Sequence, residues 1–257
     1  YYPAYDAFET FLFVPGHTAN TGAHIRDAID LKRTMVTVIL AMVPALLFGI
    51  WNTGYQHFLA LGQPDATFLE MITFGAIKVL PIVVVSYAVG LGVEFIFGII
   101  NGHSINEGFL VTGMLIPLCL PVGIPLWMVA VATLFAVVIG KEVFGGTGMN
   151  IINVALTARA FLFFAYPTLM SGDKVWIDTT LASGETMADG YTGATLLAQS
   201  TESATTYVNA AGVQYTDIFS SAFMGNIPGS IGETSTLAIL LGAALLIYTG
   251  IASWRII

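Results

Sequence analysis

The chain has 257 residues, of which 56% are hydrophobic and only 9% are charged, and its formal net charge is −8. A soluble domain usually carries about 25% charged residues, so this chain has too few to cover a water-facing surface and is predicted to be an integral membrane protein. The acidic balance argues against a nucleic-acid partner, which would require basic patches. The single cysteine, Cys119, can neither form an internal disulfide nor hold an iron–sulfur cluster alone.

A charged N-terminal segment, 1–33, is followed by a region, 34–170, that contains five predicted membrane spans. A sixth predicted span lies in 231–257, where hydrophobic residues still run at the end, so the chain is expected to be a fragment of a longer protein. The third and fifth spans are short and are interrupted by proline or glycine, as in segments that line a midplane site of repeat-built membrane folds. The predicted spans cover about 34–51, 71–100, 109–120, 126–140, 151–166 and 231–254.

A polar segment, 171–230, separates the fifth span from the sixth and is too long for a plain connector. Three basic residues, Arg26, Lys32 and Arg33, precede the first span and predict a cytoplasmic N-terminus. Alternation of the six spans then places the 171–230 segment on the external side of the membrane.

Several ionisable residues lie at or near predicted membrane depth. Glu94 is the deepest of them, Glu107 is near a boundary, Glu142 precedes the fifth span, and Arg159 lies within it. Burying an unpaired charge in hydrocarbon is costly, so such groups are usually paired and functional. For Glu142 and Arg159 a structural ion pair is an equal alternative, whereas for Glu94 the functional interpretation is favoured.

The stretch KEVFGGTGMNIIN, 141–153, places a glycine-rich turn before two asparagines, Asn150 and Asn153. Their i, i+3 spacing places both asparagines on one helix face, and Thr147 or Asn150 could cap the helix that follows. Two interpretations remain: a capped helix–turn–helix at the membrane surface, or a polar site where amide side chains meet a heterocycle.

Aromatic residues cluster in RAFLFFAY, 159–166, which includes Phe161 and Phe163. Such rings could clamp a quinone or a flavin, although lipid-facing or core packing is the more common explanation. The four histidines are scattered without the spacing of metal ligands, so no metal site is predicted. The polar loop DGYTGAT, 189–195, contains neither histidine nor cysteine and by itself leaves the role of Thr195 unexplained.

Long motifs in this chain closely resemble the NqrB/RnfD family of membrane subunits, whose members occur in the Na⁺-translocating NADH:quinone oxidoreductase and in the Rnf complex. The resemblance implies an all-α fold, of which this chain is the first repeat plus one span of a roughly ten-helix, inverted-repeat (urea-transporter-like) bundle. The IRDAIDLKR and GNIPGSIGE stretches look more like the sodium pump's subunit. The motifs that carry the resemblance are GAHIRDAIDLKR (22–33), KEVFGGTGMN (141–150), ARAFLFFAYP (158–167), DGYTGAT (189–195), FMGNIPGSIGETSTLA (223–238) and GIASWRII (250–257).

The family likeness implies cofactors at particular residues. The last threonine of the DGYTGAT motif, Thr195, would carry FMN through a phosphoester, attached outside the membrane by a separate flavin transferase. Asn150 and Asn153 would contact a non-covalent riboflavin. Three residues, Glu94, Phe161 and Phe163, are implied in quinone binding or ion coupling, with ubiquinone or menaquinone as the substrate.

The implied function is electron transfer to quinone within a sodium-pumping NADH:ubiquinone oxidoreductase of the bacterial inner membrane. Partners would be the other subunits of a six-subunit complex: a NADH-oxidising flavoprotein, a second FMN subunit and iron–sulfur membrane subunits. One departure from the family pattern is Gly90-Leu91-Gly92, where a Gly-Gly pair is common shortly before the glutamate. The alternatives are an Rnf-type subunit of a ferredoxin-linked ion pump, a subunit that only scaffolds its partners, and a non-redox channel or transporter for a small solute.

Overall fold

A computed structural model describes residues 5, 9, 13, 21–23, 29–63, 65–101, 108–146, 148–180, 186–202 and 206–255. Within these residues the regular structure is helical, apart from one isolated antiparallel bridge between Val208 and Gln214. Most of the predicted cytoplasmic segment, together with Glu107 and Thr147, lies outside the described residues. The predicted all-α, integral-membrane fold class is confirmed.

The helices follow the apolar runs, and a short 3₁₀ turn, Glu142–Phe144, comes after the fourth of them. In chain order they are α1 Leu31–Ala60, α2 Phe68–Asn101, α3 Gly108–Leu118, α4 Leu126–Gly140, α5 Val154–Ala165, α6 Pro167–Met170, α7 Leu196–Glu202, α8 Ile218–Met224 and α9 Thr236–Tyr248.

Three helical stretches are long and apolar enough to cross a membrane: Leu31–Ala60, Phe68–Asn101 and Leu126–Phe144. The other three predicted spans correspond to α3, α5 and α9, which have 11, 12 and 13 residues. A straight helix that crosses the hydrocarbon alone needs about 20 residues. Helices α3 and α5 lie where the two short or broken spans are predicted. Helix α9, Thr236–Tyr248, is shorter than the predicted sixth span at both ends.

Helix α1 continues nine residues beyond Trp51, where the apolar run was predicted to end. The extension contains polar side chains that are buried because they find partners inside the protein. Asn52 donates to the carbonyl of Ile227 at 3.1 Å, and Gln56 donates to the Asn52 side chain at 3.3 Å. Hydropathy alone therefore placed the end of this helix too early.

Helices α1 and α2 approach closely at two glycines. A Cβ at Gly54 would collide with the backbone of Met71, and one at Gly75 would collide with the carbonyl of Ile50. Small residues at such positions let helix backbones pack tightly in membranes. The main apolar core lies between α2, α3, α4 and α5, and its fully buried members include Val79, Ile82, Phe109, Val129 and Leu162.

The 171–230 segment is held against the adjoining ends of α1 and α2. Leu59 and Ala60 at the end of α1 form a second apolar cluster with Ile177 and Ala210. Ala188, which immediately precedes DGYTGAT, donates its backbone N–H to the carbonyl of Ala60 at 2.9 Å. This part of the polar segment is therefore structured, and it positions the DGYTGAT loop beside the end of α1.

An ion pair between a partly exposed lysine and a buried aspartate reinforces this attachment. The Lys78 ammonium of α2 lies 2.6 Å from the Asp178 carboxylate, and His57 Nδ1 lies 2.6 Å from the Asp178 carbonyl oxygen. Burial of the Asp178 carboxylate raises its pKa. Hydrogen bonds from Lys78 and Thr180, with the positive charge of Lys78, outweigh burial and hold the pKa below its usual value.

The lowered pKa of Asp178 predicts how docking of the segment depends on pH. Its stabilisation is present above the unfolded pKa of about 3.9 and is lost as pH falls through the folded pKa. Hydrogen exchange of residues 175–180 in the purified complex should therefore stay protected between about pH 5 and pH 8. Asp178→Asn should lose protection already at pH 7, whereas the matched change at the exposed Asp65 should not. Wild-type protection in Asp178→Asn would refute this role for the pair.

Candidate functional sites

Thr195 lies immediately before α7, and its side chain is partly exposed. Its Oγ1 accepts a hydrogen bond from the backbone N–H of Ala198 at 3.3 Å, which satisfies one free donor at the start of the helix. The oxygen acts as an acceptor in this cap, so the cap does not use the hydroxyl hydrogen. Replacing that hydrogen by an ester would leave the accepting oxygen in place.

The turn before Thr195 depends on glycine and on a neighbouring threonine. Gly190 has a φ of +84°, and a Cβ at Gly193 would collide with the carbonyl of Asp173. Thr192 Oγ1 accepts from the backbone N–H of Ala194 at 3.3 Å. The role of Thr192, which the sequence left open, is therefore to close this local turn. The pKa of Tyr191, the residue before Thr192, is raised. Burial is the larger cause, and the negative charge of Asp173 is the smaller one.

A buried glutamine, Gln199, holds the loop from inside α7. Its amide nitrogen donates to the carbonyls of Ala194 and Val208, both at 2.9 Å. Its amide oxygen accepts from the backbone N–H of Val208 at 2.8 Å. These three bonds join the residue before Thr195 to the chain that follows α7. Nothing in the local sequence pattern distinguishes Gln199 from other polar residues, so its role is visible only in the fold.

Asn150 and Asn153 do not share a helix face, contrary to the prediction. Helix α5 begins at Val154, and Asn153 is its N-cap: the Asn153 side chain accepts from the backbone N–H of Leu156 at 3.1 Å. Asn150 lies in the preceding turn, where its amide donates to the carbonyl of Ile152 at 3.5 Å. The proposal of Asn150 as the cap is also wrong. The reason is the glycine-rich turn: Gly145, Gly146 and Gly148 have positive φ values, which delay the start of the helix.

Asn150 borders a cavity of about 520 Å³ between the beginnings of α1, α3 and α5. This volume falls in the range of about 300–1,000 Å³ that is typical of cofactor and small-molecule sites. The walls combine apolar side chains with a hydroxyl, an amide and an ammonium group, a combination suited to a flat heteroaromatic ring with a polar edge. The lining residues are Leu31, Met35, Gly108, Thr112, Lys141, Gly148, Asn150 and Val154.

Glu94 forms a direct ion pair with Lys141, and the two side chains are only 4% and 6% exposed. Lys141 follows the last residue of α4 and also lines the cavity. Packing of α2 against α4 thus brings Glu94 to the same end of the molecule as Asn150. The predicted membrane depth of Glu94 marks it as a candidate, but its cationic partner is not predictable from the sequence.

Phe161 and Phe163 lie away from this cavity and do not form one cluster. Phe161 stacks on Phe135 of α4 with ring centroids 4.6 Å apart, while Phe163 is 47% exposed and meets Phe164 edge to face. Phe161 is seven residues into α5 from Val154, or about 10 Å along the axis. The structure therefore groups Glu94, Lys141 and Asn150, and it separates them from these rings.

Arg159 forms its ion pair with Glu233. It does not pair with Glu142, which was considered with it as a structural ion pair. Arg159 Nη1 lies 3.0 and 3.1 Å from the two carboxylate oxygens of Glu233, and the Ser230 hydroxyl donates to Glu233 at 2.6 Å. This network joins α5 to the turn before α9. Across the part of the chain that the structure describes, no group of three or more His, Cys, Asp or Glu side chains could hold a metal ion.

The helices and the three membrane-length stretches define an all-α, multi-pass membrane protein. The sequence model of the NQR2, RnfD, RnfE family matches residues 18–257, and the chain belongs to this family. The family resemblance predicted from the motifs is confirmed.

Among known relatives, the chain is 48% identical to the NqrB subunit of the Na⁺-translocating NADH-quinone reductase of Stutzerimonas stutzeri (strain A1501). It is 45% identical to the NqrB subunit of Chromohalobacter salexigens and 46% identical to that of Azotobacter vinelandii (strain DJ). In each case the whole chain is covered, and it spans 66%, 64% and 66% of the respective relative.

Proposed function

We propose that this chain is a membrane electron-transfer subunit of a Na⁺-translocating NADH:quinone oxidoreductase. It carries FMN covalently on Thr195 and a non-covalent riboflavin in the cavity beside Asn150, and it takes part in quinone reduction. The observation that carries the proposal is the placement of Thr195: a partly exposed hydroxyl at the end of an ordered turn. The family membership and the names of the relatives support it.

The residues around Thr195 fit a phosphoester. Thr195 is a partly exposed residue, its cap with Ala198 would remain after esterification because the accepting oxygen stays in place, and the turn before it is held by backbone hydrogen bonds. A flavin bound there supplies the redox chemistry. The protein supplies the anchoring oxygen and fixes its position through Gln199.

The cavity fits a riboflavin ring by its volume and by its mixed walls. In the proposal, Asn150 contacts the ring directly. Asn153 has its side-chain oxygen engaged by the α5 cap, so it would contribute through its amide N–H₂ group. The apolar side chains of the wall would contact the ring face.

Glu94, Phe161 and Phe163 remain proposed contacts for quinone or for ion coupling. The exposed ring of Phe163 offers a surface for ubiquinone or menaquinone, whereas Phe161 supports α5 by stacking on Phe135. The proposed partners are the NADH-oxidising flavoprotein, the second FMN subunit and the iron–sulfur subunits of the complex, together with a flavin transferase. The proposed location is the bacterial inner membrane, with the FMN loop external.

Peptide mass spectrometry of the purified complex tests this assignment. The tryptic peptide that contains Thr195 should carry the added mass of FMN, and denaturation should release riboflavin. An unmodified Thr195 in an active complex would overturn the assignment. A colourless protein would support the non-redox transporter instead. Copurification with ferredoxin-linked partners rather than a NADH-oxidising flavoprotein would indicate the Rnf-type subunit.

The riboflavin cavity can be tested by filling it. Thr112→Trp places a large ring in the cavity and should abolish extractable riboflavin, while in-gel fluorescence from covalent FMN persists. Leu240→Trp adds the same ring at an exposed position on α9 and should leave both flavins unchanged. Full riboflavin content in Thr112→Trp would show that riboflavin binds elsewhere.

A further inference from the structure

Lys141 and Glu94 form a buried ion pair, and the two residues differ in their relation to the cavity. Lys141 belongs to the cavity wall, whereas Glu94 is not among the residues that line it. Of the two paired residues, Lys141 is therefore the one that borders the cavity. Removing two charges from water is costly. Because replacing a buried ion pair by apolar residues is often neutral or stabilising, a contribution to folding stability does not by itself explain why this pair is present.

The surroundings of Lys141 strengthen the influence of its charge. The nearby wall includes the apolar side chains of Leu31, Met35 and Val154, and a charge acts more strongly where little water screens it. Two neutral polar groups, the Thr112 hydroxyl and the Asn150 amide, complete the wall. Lys141 is the cationic residue among the described residues that line this cavity.

We propose that Lys141 faces the electron-rich edge of the flavin ring bound in this cavity and raises its reduction potential, while Glu94 positions Lys141 and limits the effect. This inference rests on the proposed function, because it requires riboflavin in the cavity. Reduction of a bound flavin by two electrons with uptake of one proton would add one negative charge beside Lys141. The electrons come from NADH through the other carriers of the complex, and they leave to quinone. The Lys141 ammonium favours the reduced ring, and the Glu94 carboxylate opposes it.

A redox titration of the purified complex, monitored by visible absorbance, tests this role. One variant removes the positive charge of the pair and another removes the negative charge. Lys141→Gln removes the cation and should weaken the preference for the reduced ring about tenfold, which for a two-electron couple is about 30 mV towards negative potential. Lys141→Arg keeps the cation and should retain the wild-type potential. Glu94→Gln keeps an acceptor for Lys141 but removes the opposing charge, so the potential should rise. A purely structural role would not produce shifts of opposite sign.

The riboflavin content of each variant separates failure of this inference from failure of the proposed site. Wild-type potentials in Lys141→Gln and Glu94→Gln, with riboflavin retained, would overturn the role of Lys141. Full riboflavin in Thr112→Trp would overturn the cavity assignment itself. If Lys141→Gln does not assemble, Glu94→Gln decides the matter, because an unchanged or lowered potential in that variant contradicts the proposal.

Discussion

Replacing Thr195 by valine is expected to remove covalently bound flavin from this chain completely. Valine has nearly the shape of threonine but lacks the oxygen that would bond to the phosphate. In-gel fluorescence of the denatured chain should disappear, and quinone reduction by the complex should fall with it. The same substitution also removes the α7 cap, which is worth about 1 kcal/mol, so an independent control for folding is needed.

Two matched variants provide that control. Thr195→Ser retains an oxygen for both the ester and the cap and should keep the flavin. Thr192→Val removes the hydroxyl three residues earlier, where Oγ1 accepts only a local backbone bond from Ala194, and should keep most of the fluorescence. Fluorescence that persists on Thr195→Val would contradict FMN attachment at Thr195. Fluorescence lost without loss of turnover would support the scaffold alternative.

Gln199→Met is expected to disorder the loop and to reduce flavin attachment strongly. Methionine fills a similar volume but cannot replace the three hydrogen bonds to Ala194 and Val208. Leaving a buried donor or acceptor unpaired costs about 1–3 kcal/mol for each group. The fraction of chain that carries covalent flavin should fall, and limited proteolysis within 190–208 should become faster.

Ser200→Ala is the control for Gln199→Met, because Ser200 is exposed and bonds only within α7, to the carbonyl of Leu197. It should leave both flavin attachment and proteolysis unchanged. Faster proteolysis with full flavin attachment would show that the transferase does not need an ordered loop. Unchanged proteolysis would show that the Gln199 bonds do not hold the loop at all.

The two proposed flavin sites lie near opposite ends of α1. The FMN loop packs on Leu59 and Ala60, whereas the cavity is bordered by Leu31 and Met35. The 24 residues from Met35 to Leu59 correspond to about 36 Å of helix. The sites are therefore separated by roughly the thickness of a membrane, an arrangement that supports the proposed external FMN loop and a riboflavin site on the other side.

Much of the architecture could be predicted because composition and apolar run length report directly on the surrounding solvent. Too few charges, and runs long enough to cross a bilayer, indicated an all-α membrane protein. Proline and glycine marked the short third and fifth elements. Element ends were less predictable. Trp51 ends the apolar run, but α1 continues because Asn52 and His57 find polar partners at Ile227 and Asp178, far along the chain.

The sequence by itself determined the membrane class, the family motifs and the importance of Thr195 and Glu94 as candidates. Only the tertiary structure decided what surrounds them. Lys141 is 47 residues from Glu94, and Asp178 is 121 residues from His57, so no local pattern can reveal that either pair meets. Local sequence encodes helix formation and hydrophobicity, whereas ion pairs and cavity walls arise from packing between distant helices. For that reason, only the tertiary structure shows that Lys141 borders the cavity.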